Sequence, residues 1–175
     1  YLLSTESVKS IAVDGGNRKW IGTLGAGLYL LSADGTEEIH HFTSENSPLP
    51  SNNIIDIAIN SKNGEVFIGT DKGLLSYTSD ATVGENSQGN LKIFPNPVRQ
   101  SYNGLITIDK LYTDANIKIT DMNFNLIYEG FANGGRATWN GRDIDGNKVP
   151  TGVYLIFTSD DMGNEKISGK ILIIK

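Results

Sequence analysis

Apolar residues recur at every second position in short runs along the chain, and clusters of glycine, asparagine, aspartate and serine separate the runs. A period of two marks a strand with one buried face, because successive side chains point to opposite sides of a sheet. In the first half, such runs surround Ile11-Ala12-Val13 and Ile57-Ala58-Ile59. Asp14-Gly15-Gly16-Asn17 and Ser61-Lys62-Asn63-Gly64 follow them and supply hairpin turns. In the second half, strands are predicted at Leu91–Phe94, Gly104–Leu111, Asn116–Met122, Leu126–Phe131, Arg136–Asn140, Gly152–Thr158 and Lys166–Ile174. Ile106 and Ile108, and Ile117 and Ile119, lie two apart, as half-buried strands require. The helical period of 3.6 does not appear there.

The first half also repeats itself. Residues 8–35 can be laid on residues 54–81: Trp20-Ile21-Gly22-Thr23 matches Phe67-Ile68-Gly69-Thr70, and Gly27-Leu28 matches Gly73-Leu74. The offset is 46 for Ile11 to Ile57 and 47 for Trp20 to Phe67, which allows one residue of slippage in the turn. A period of about 40–50 residues built from short strands is that of β-propeller blades. The aromatic of each unit is expected to pack between neighbouring blades, and the glycine after it suits a close approach by another backbone. A closed propeller needs about four to eight blades, so two imply the last blades of a longer chain. Tyr1 at the start points the same way.

The stretch from Ser79 to Lys92 is polar, contains glycine and lacks periodicity, which reads as a boundary. The expected organisation is therefore all-β: two blades over residues 1–80, a linker over 81–91, and an antiparallel immunoglobulin-like sandwich of about seven strands over 92–175. With 38% hydrophobic residues the chain can bury a core. Net charge is −5 with both signs interspersed, so no basic stripe is available to neutralise a nucleic-acid backbone. The absence of cysteine removes disulfides, thiolate metal sites and cysteine nucleophiles. No apolar run is long enough to span a membrane as a helix.

Catalytic chemistry is hard to place. His40 and His41 are the two histidines, and as neighbours on a strand they would face opposite ways, so an exposed blade edge or turn is the expected setting. No HExxH, GxSxG or P-loop pattern occurs. Asp143-Ile144-Asp145-Gly146-Asn147 has oxygen ligands at alternate positions, but it lacks the downstream glutamate of a calcium loop, and Asp-Gly favours a hairpin turn. Glu37 and Glu38 read as solvated surface. Trp20, Tyr29 and Tyr77 could stack on sugar rings if outward, although packing between blades is the simpler setting. Neither an enzyme, a cofactor nor a metal site is expected.

Two resemblances give these patterns a context. The repeats, through WIGT with GAGL and FIGT with KGLL, resemble the regulator-type propeller repeat of Bacteroidetes surface proteins and sensor ectodomains. The second half resembles the C-terminal sorting domain of the type IX secretion system, related in fold to the FlgD-like immunoglobulin module. That resemblance rests on Phe94-Pro95-Asn96-Pro97-Val98, Gly104, Ile117 to Asn123, Trp139-Asn140-Gly141-Arg142-Asp143, Gly146-Asn147, Thr151 to Ile156, and Gly169 to Lys175. Asn123 stands where the family usually has glycine, and asparagine tolerates a left-handed turn.

The resemblance implies export to the periplasm, passage through the outer membrane and delivery to the cell surface. Recognition would fall on Gly152, Val153, Tyr154, Lys170 and Lys175. It further implies one of two roles. The first is a retained component of the attachment complex that works beside the sortase PorU and binds anionic lipopolysaccharide. The second is a cargo protein whose propeller binds a glycan or protein and whose last domain is cut off. A third role, the sensor ectodomain of a hybrid two-component system, would continue into a membrane helix, which this sequence does not contain.

Overall fold

A computed structural model describes residues 3–85, 90–159 and 165–175; most of the polar tip of the expected linker, residues 86–89, lies outside them. The described residues are all-β and contain no helix. The chain divides after Thr82 into two compact units. Val83–Glu85 thus fall in the second unit, where Glu85 N–H donates to the Leu111 carbonyl at 2.9 Å.

The first unit holds two propeller-type sheets. One is four-stranded, with β1 (Val8–Val13), β2 (Lys19–Thr23), β3 (Leu28–Leu31) and β4 (Glu38–Phe42) in chain order. The other stops at three, β5 (Ile54–Asn60), β6 (Glu65–Thr70) and β7 (Gly73–Thr78). Both predicted turns form. Asp14 Oδ1 accepts the Gly16 and Arg18 N–H groups at 3.0 Å each, and Asn17 takes φ 58°. In the second turn, Gly64 at φ 76° donates its N–H to the Asn60 carbonyl at 2.9 Å.

One face of each sheet contributes to a shared core of Trp20, Leu28, Leu30, Leu49, Ile54, Ile57, Val66 and Ile68. Full burial of each such side chain contributes about 1.5–3 kcal/mol. Gly22 is required here, because a methyl group on it would overlap the Ile54 side chain. The approach expected at that glycine thus comes from a side chain of the facing sheet rather than from a backbone.

The two repeat units differ in which face is covered. Trp20 is fully buried, with its ring near Phe42 and Tyr77. Phe67, its repeat equivalent, is half-buried, on the face of β6 opposite to the core residues Val66 and Ile68. Equivalent positions point the same way along a row of blades, so Trp20 meets the next sheet while Phe67 points past the last one.

The second unit is a sandwich. A three-stranded sheet is ordered β13-β10-β8, with β8 Lys92–Phe94, β10 Ile106–Asp109 and β13 Arg136–Trp139. A five-stranded sheet is ordered β12-β11-β14-β15-β9, with β9 Val98–Arg99, β11 Asn116–Thr120, β12 Leu126–Phe131, β14 Gly152–Ser159 and β15 Glu165–Ile174. Ile106, Ile108, Ile117 and Ile119 are all fully buried between them, as their spacing requires. Arg136 is buried as well, and its guanidinium holds Asp109 of the neighbouring strand at 2.5 and 2.9 Å.

The seven strands expected in the second half lie where the sequence places them, as do three in each blade, and β4 and β9 were not anticipated. β4 is largely exposed along an edge, and its Glu-Ile-His-His-Phe lacks alternation. β9 is two residues long, directly after Pro97, and runs parallel to β15, so the sandwich is not purely antiparallel.

Candidate recognition site on the terminal strand

Register brings the predicted recognition residues together. Gly152, Val153, Tyr154 and Leu155 of β14 lie opposite Ile173, Leu172, Ile171 and Lys170 of β15. Alternation then separates them by face. Tyr154 points into the core at 4% exposure, beside Trp139, and donates its hydroxyl to the Pro150 carbonyl at 2.8 Å. Burial, with a smaller contribution from the Asp121 charge, raises its phenol pKa above the ordinary value. Val153 and Lys170 belong to the opposite, outward face, and Lys175 follows β15 at the exposed chain end.

That outward face is apolar for an exposed surface. Ile167 is paired with Phe157, and the Phe124 ring meets Phe157 edge-on at 6.2 Å. Leu172 sits beside Val153. Lys118 and Glu165 form an ion pair across the same face at 2.5 Å.

Gly152 is not held by space. A methyl group there would meet the Tyr154 ring at 3.8 Å, an ordinary contact. Gly152→Ala should therefore shift the thermal midpoint of the purified chain by no more than about 3 °C, as for other substitutions away from a close contact. Calorimetry checks this, and any loss of surface delivery in that variant would report recognition rather than folding. Gly169 differs, because a methyl group would press on Ile93 at 3.0 Å.

Sequence reasoning missed the residues that hold the far edge of β15. Asn96, between Pro95 and Pro97, donates its side-chain N–H to the Lys170 carbonyl at 3.0 Å and accepts the Leu172 N–H at 3.0 Å. Val98 and Arg99 then pair with Ile173 and Ile174, and Gln100 N–H donates to the Ile174 carbonyl at 2.6 Å. The Pro-Asn-Pro motif and the terminal motif, far apart in sequence, are one hydrogen-bonded unit.

The other candidates make contacts within the fold. Asp143 Oδ1 accepts the N–H groups of Asp145 and Asn147 at 3.0 and 2.8 Å, closing a turn. His41 stacks on Tyr29 with centroids 3.9 Å apart, and its Nε2 lies 2.6 Å from the Ala26 carbonyl oxygen. Trp20 and Tyr29 are buried, whereas Tyr77 is partly exposed. Among the described residues, no group of three or more His, Cys, Asp or Glu side chains is placed to hold a metal. No helix among them is long and apolar enough to cross a membrane.

Two propeller-type blades followed by an immunoglobulin-like sandwich with a stapled strand make a two-unit all-β protein. Residues 92–175 match the family model of the secretion system C-terminal sorting domain, and they are a domain of that family. The whole chain is similar to PorZ, an essential bacterial surface component of the type-IX secretion system of Porphyromonas gingivalis, with 38% identity and a TM-score of 0.68. The match covers 100% of this chain and 24% of PorZ, so the chain spans about a quarter of that protein's length. Two more distant matches are dimeric latent PorU from P. gingivalis and the extracellular domain of BT4673 from B. thetaiotaomicron. PorU shares 17% identity at a TM-score of 0.37, over 63% of this chain and 12% of that one. BT4673 shares 14% at 0.34, over 98% of this chain and 26% of that one. No curated protein matches the chain.

Proposed function

We propose that this chain is part of a PorZ-like surface component of a type IX secretion system. In this reading it is non-catalytic, assists the sortase PorU, binds anionic lipopolysaccharide, and reaches the outer-membrane surface through its own sorting domain. The observation that carries the reading is that likeness to PorZ runs through blades and sandwich alike, at 38% identity over the whole chain. A sorting domain alone would fit any cargo, whereas blades of matching sequence joined to it fit a component of the apparatus. Recognition is assigned to the β14–β15 pair, with Gly152, Val153, Lys170 and Lys175 accessible and Tyr154 supporting them from beneath.

The test is the form of the protein on the cell surface. Mass spectrometry of surface-exposed protein should recover peptides ending at Lys175, because a component of the apparatus keeps its last domain. A surface form lacking residues 92–175 would overturn the reading and identify the chain as cargo. A binding assay of the purified chain against anionic lipopolysaccharide tests the ligand separately, and saturable binding is the expected result.

A further inference from the structure

We propose that Asn96 holds the terminal strand in the form that the secretion machinery reads, so that the address is a composite of residues 94–100 and 170–175. This rests on the reading of the domain as an export address. The chemistry begins with the prolines. Pro95 and Pro97 carry no N–H, so the backbone on either side of Asn96 cannot donate to a neighbouring strand. The Asn96 side chain replaces it. A carboxamide offers a donor and an acceptor in one plane, as a peptide unit does, and Asn96 uses both, on Lys170 and Leu172.

Two residues on, ordinary backbone pairing takes over at Val98 and Arg99, and Gln100 closes the series on Ile174. The last strand is thus held on one side by β14 and on the other by a run that starts with a side chain. Asn96 fastens the backbone groups flanking Ile171, whose side chain is fully buried. It therefore fixes which residues of this stretch face outward, namely Lys170 and Leu172. Aspartate would accept from Leu172 but set a negative oxygen against the Lys170 carbonyl, and alanine would do neither. Asn96 is a positioning residue: its effect on recognition passes through the strand it holds.

The experiment uses the 175-residue chain, purified for hydrogen exchange and, behind an export leader, expressed in P. gingivalis for cell fractionation. Asn96→Ala and Asn96→Asp should accelerate exchange of the Leu172 amide by about tenfold, the loss expected for one or two exposed hydrogen bonds, while the sandwich stays folded. Surface delivery of both variants should fall several-fold. Ala137→Gly, in β13 of the other sheet, serves as a control for lost stability and should be delivered normally. Unchanged Leu172 exchange would overturn the proposal, as would normal delivery of folded Asn96→Ala. Equal delivery defects in the Asn96 variants and the Ala137 control would overturn it as well, because stability alone would then explain them. Failure of the unaltered chain to reach the surface would instead overturn the address reading, and this proposal with it.

Discussion

Trp20→Ala should destabilise the first unit by about 3–5 kcal/mol, the range for truncating a large buried aromatic, against about 5–15 kcal/mol for the whole stability of a typical domain. The Trp20 side chain is fully buried and joins the two sheets. Its ring lies parallel to Phe42 at 6.2 Å and tilted to Tyr77 at 5.8 Å, so one residue touches the outer strands of both sheets. Its Nε1–H donates to Asp14 Oδ2 at 3.1 Å. Alanine removes the ring and leaves that carboxylate short of a donor. Neither sheet has another buried side chain of that size on the shared face, so collapse around the cavity is limited. A urea titration followed by circular dichroism should show the first unit unfolding at much lower denaturant. Trp139, in the core of the second unit, reports that unit by fluorescence. A shift of less than 1 kcal/mol would mean that the shared core does not join the sheets.

Asp14→Ala should be nearly as severe, at about 3–5 kcal/mol, because it removes the buried partner of the Arg18 charge. The Asp14 carboxylate receives Gly16 N–H, Arg18 N–H, the Arg18 guanidinium at 2.9 Å and the Trp20 indole. Arg18 is itself buried and also reaches Asp80 at 2.8 Å and the Ser79 hydroxyl at 2.8 Å. Burial works against the Arg18 charge, but Asp80 and Asp14 outweigh it, and the guanidinium pKa stands above its usual value. The contrast with Asp80 makes the prediction sharp. The Asp80 side chain is 45% exposed, against 1% for Asp14. Solvent can replace much of what Asp80 supplies, so Asp80→Ala should cost no more than about 1 kcal/mol. Equal effects in parallel chemical denaturation would show that Asp14 is not the anchor of this turn.

The alternation of apolar residues made most strands legible, because period two is visible wherever one face is buried and the turns carry glycine and asparagine. The internal repeat revealed the blades for the same reason. β4 escaped because Glu38 to Phe42 forms an edge whose side chains are mostly solvated, so little selects for alternation. β9 escaped because two residues cannot display a period. The Pro-Asn-Pro motif was visible as a motif, but its task was not. Asn96 acts on Lys170 and Leu172, which are 74 and 76 residues away, and no local pattern encodes so distant a pairing. Tyr154 shows the opposite limit. Its motif is compatible with recognition and with filling the core alike, and the register of β14 places the ring inward.

Among the described residues the second sheet has one strand fewer than the first, so no strand pairs with the outer edge of β7. Ser79 N–H donates to the Gly64 carbonyl at 2.7 Å, which sets the phase of the β6–β7 ladder. Leu74, Ser76 and Thr78 therefore turn their peptide groups to the open rim, as Leu28 and Leu30 turn theirs toward β4. A cavity of about 90 Å³ lined by Phe42, Pro48, Leu49, Leu75 and Tyr77 lies between the sheets nearby. Such a rim is a ready template for any extended segment that drifts past it.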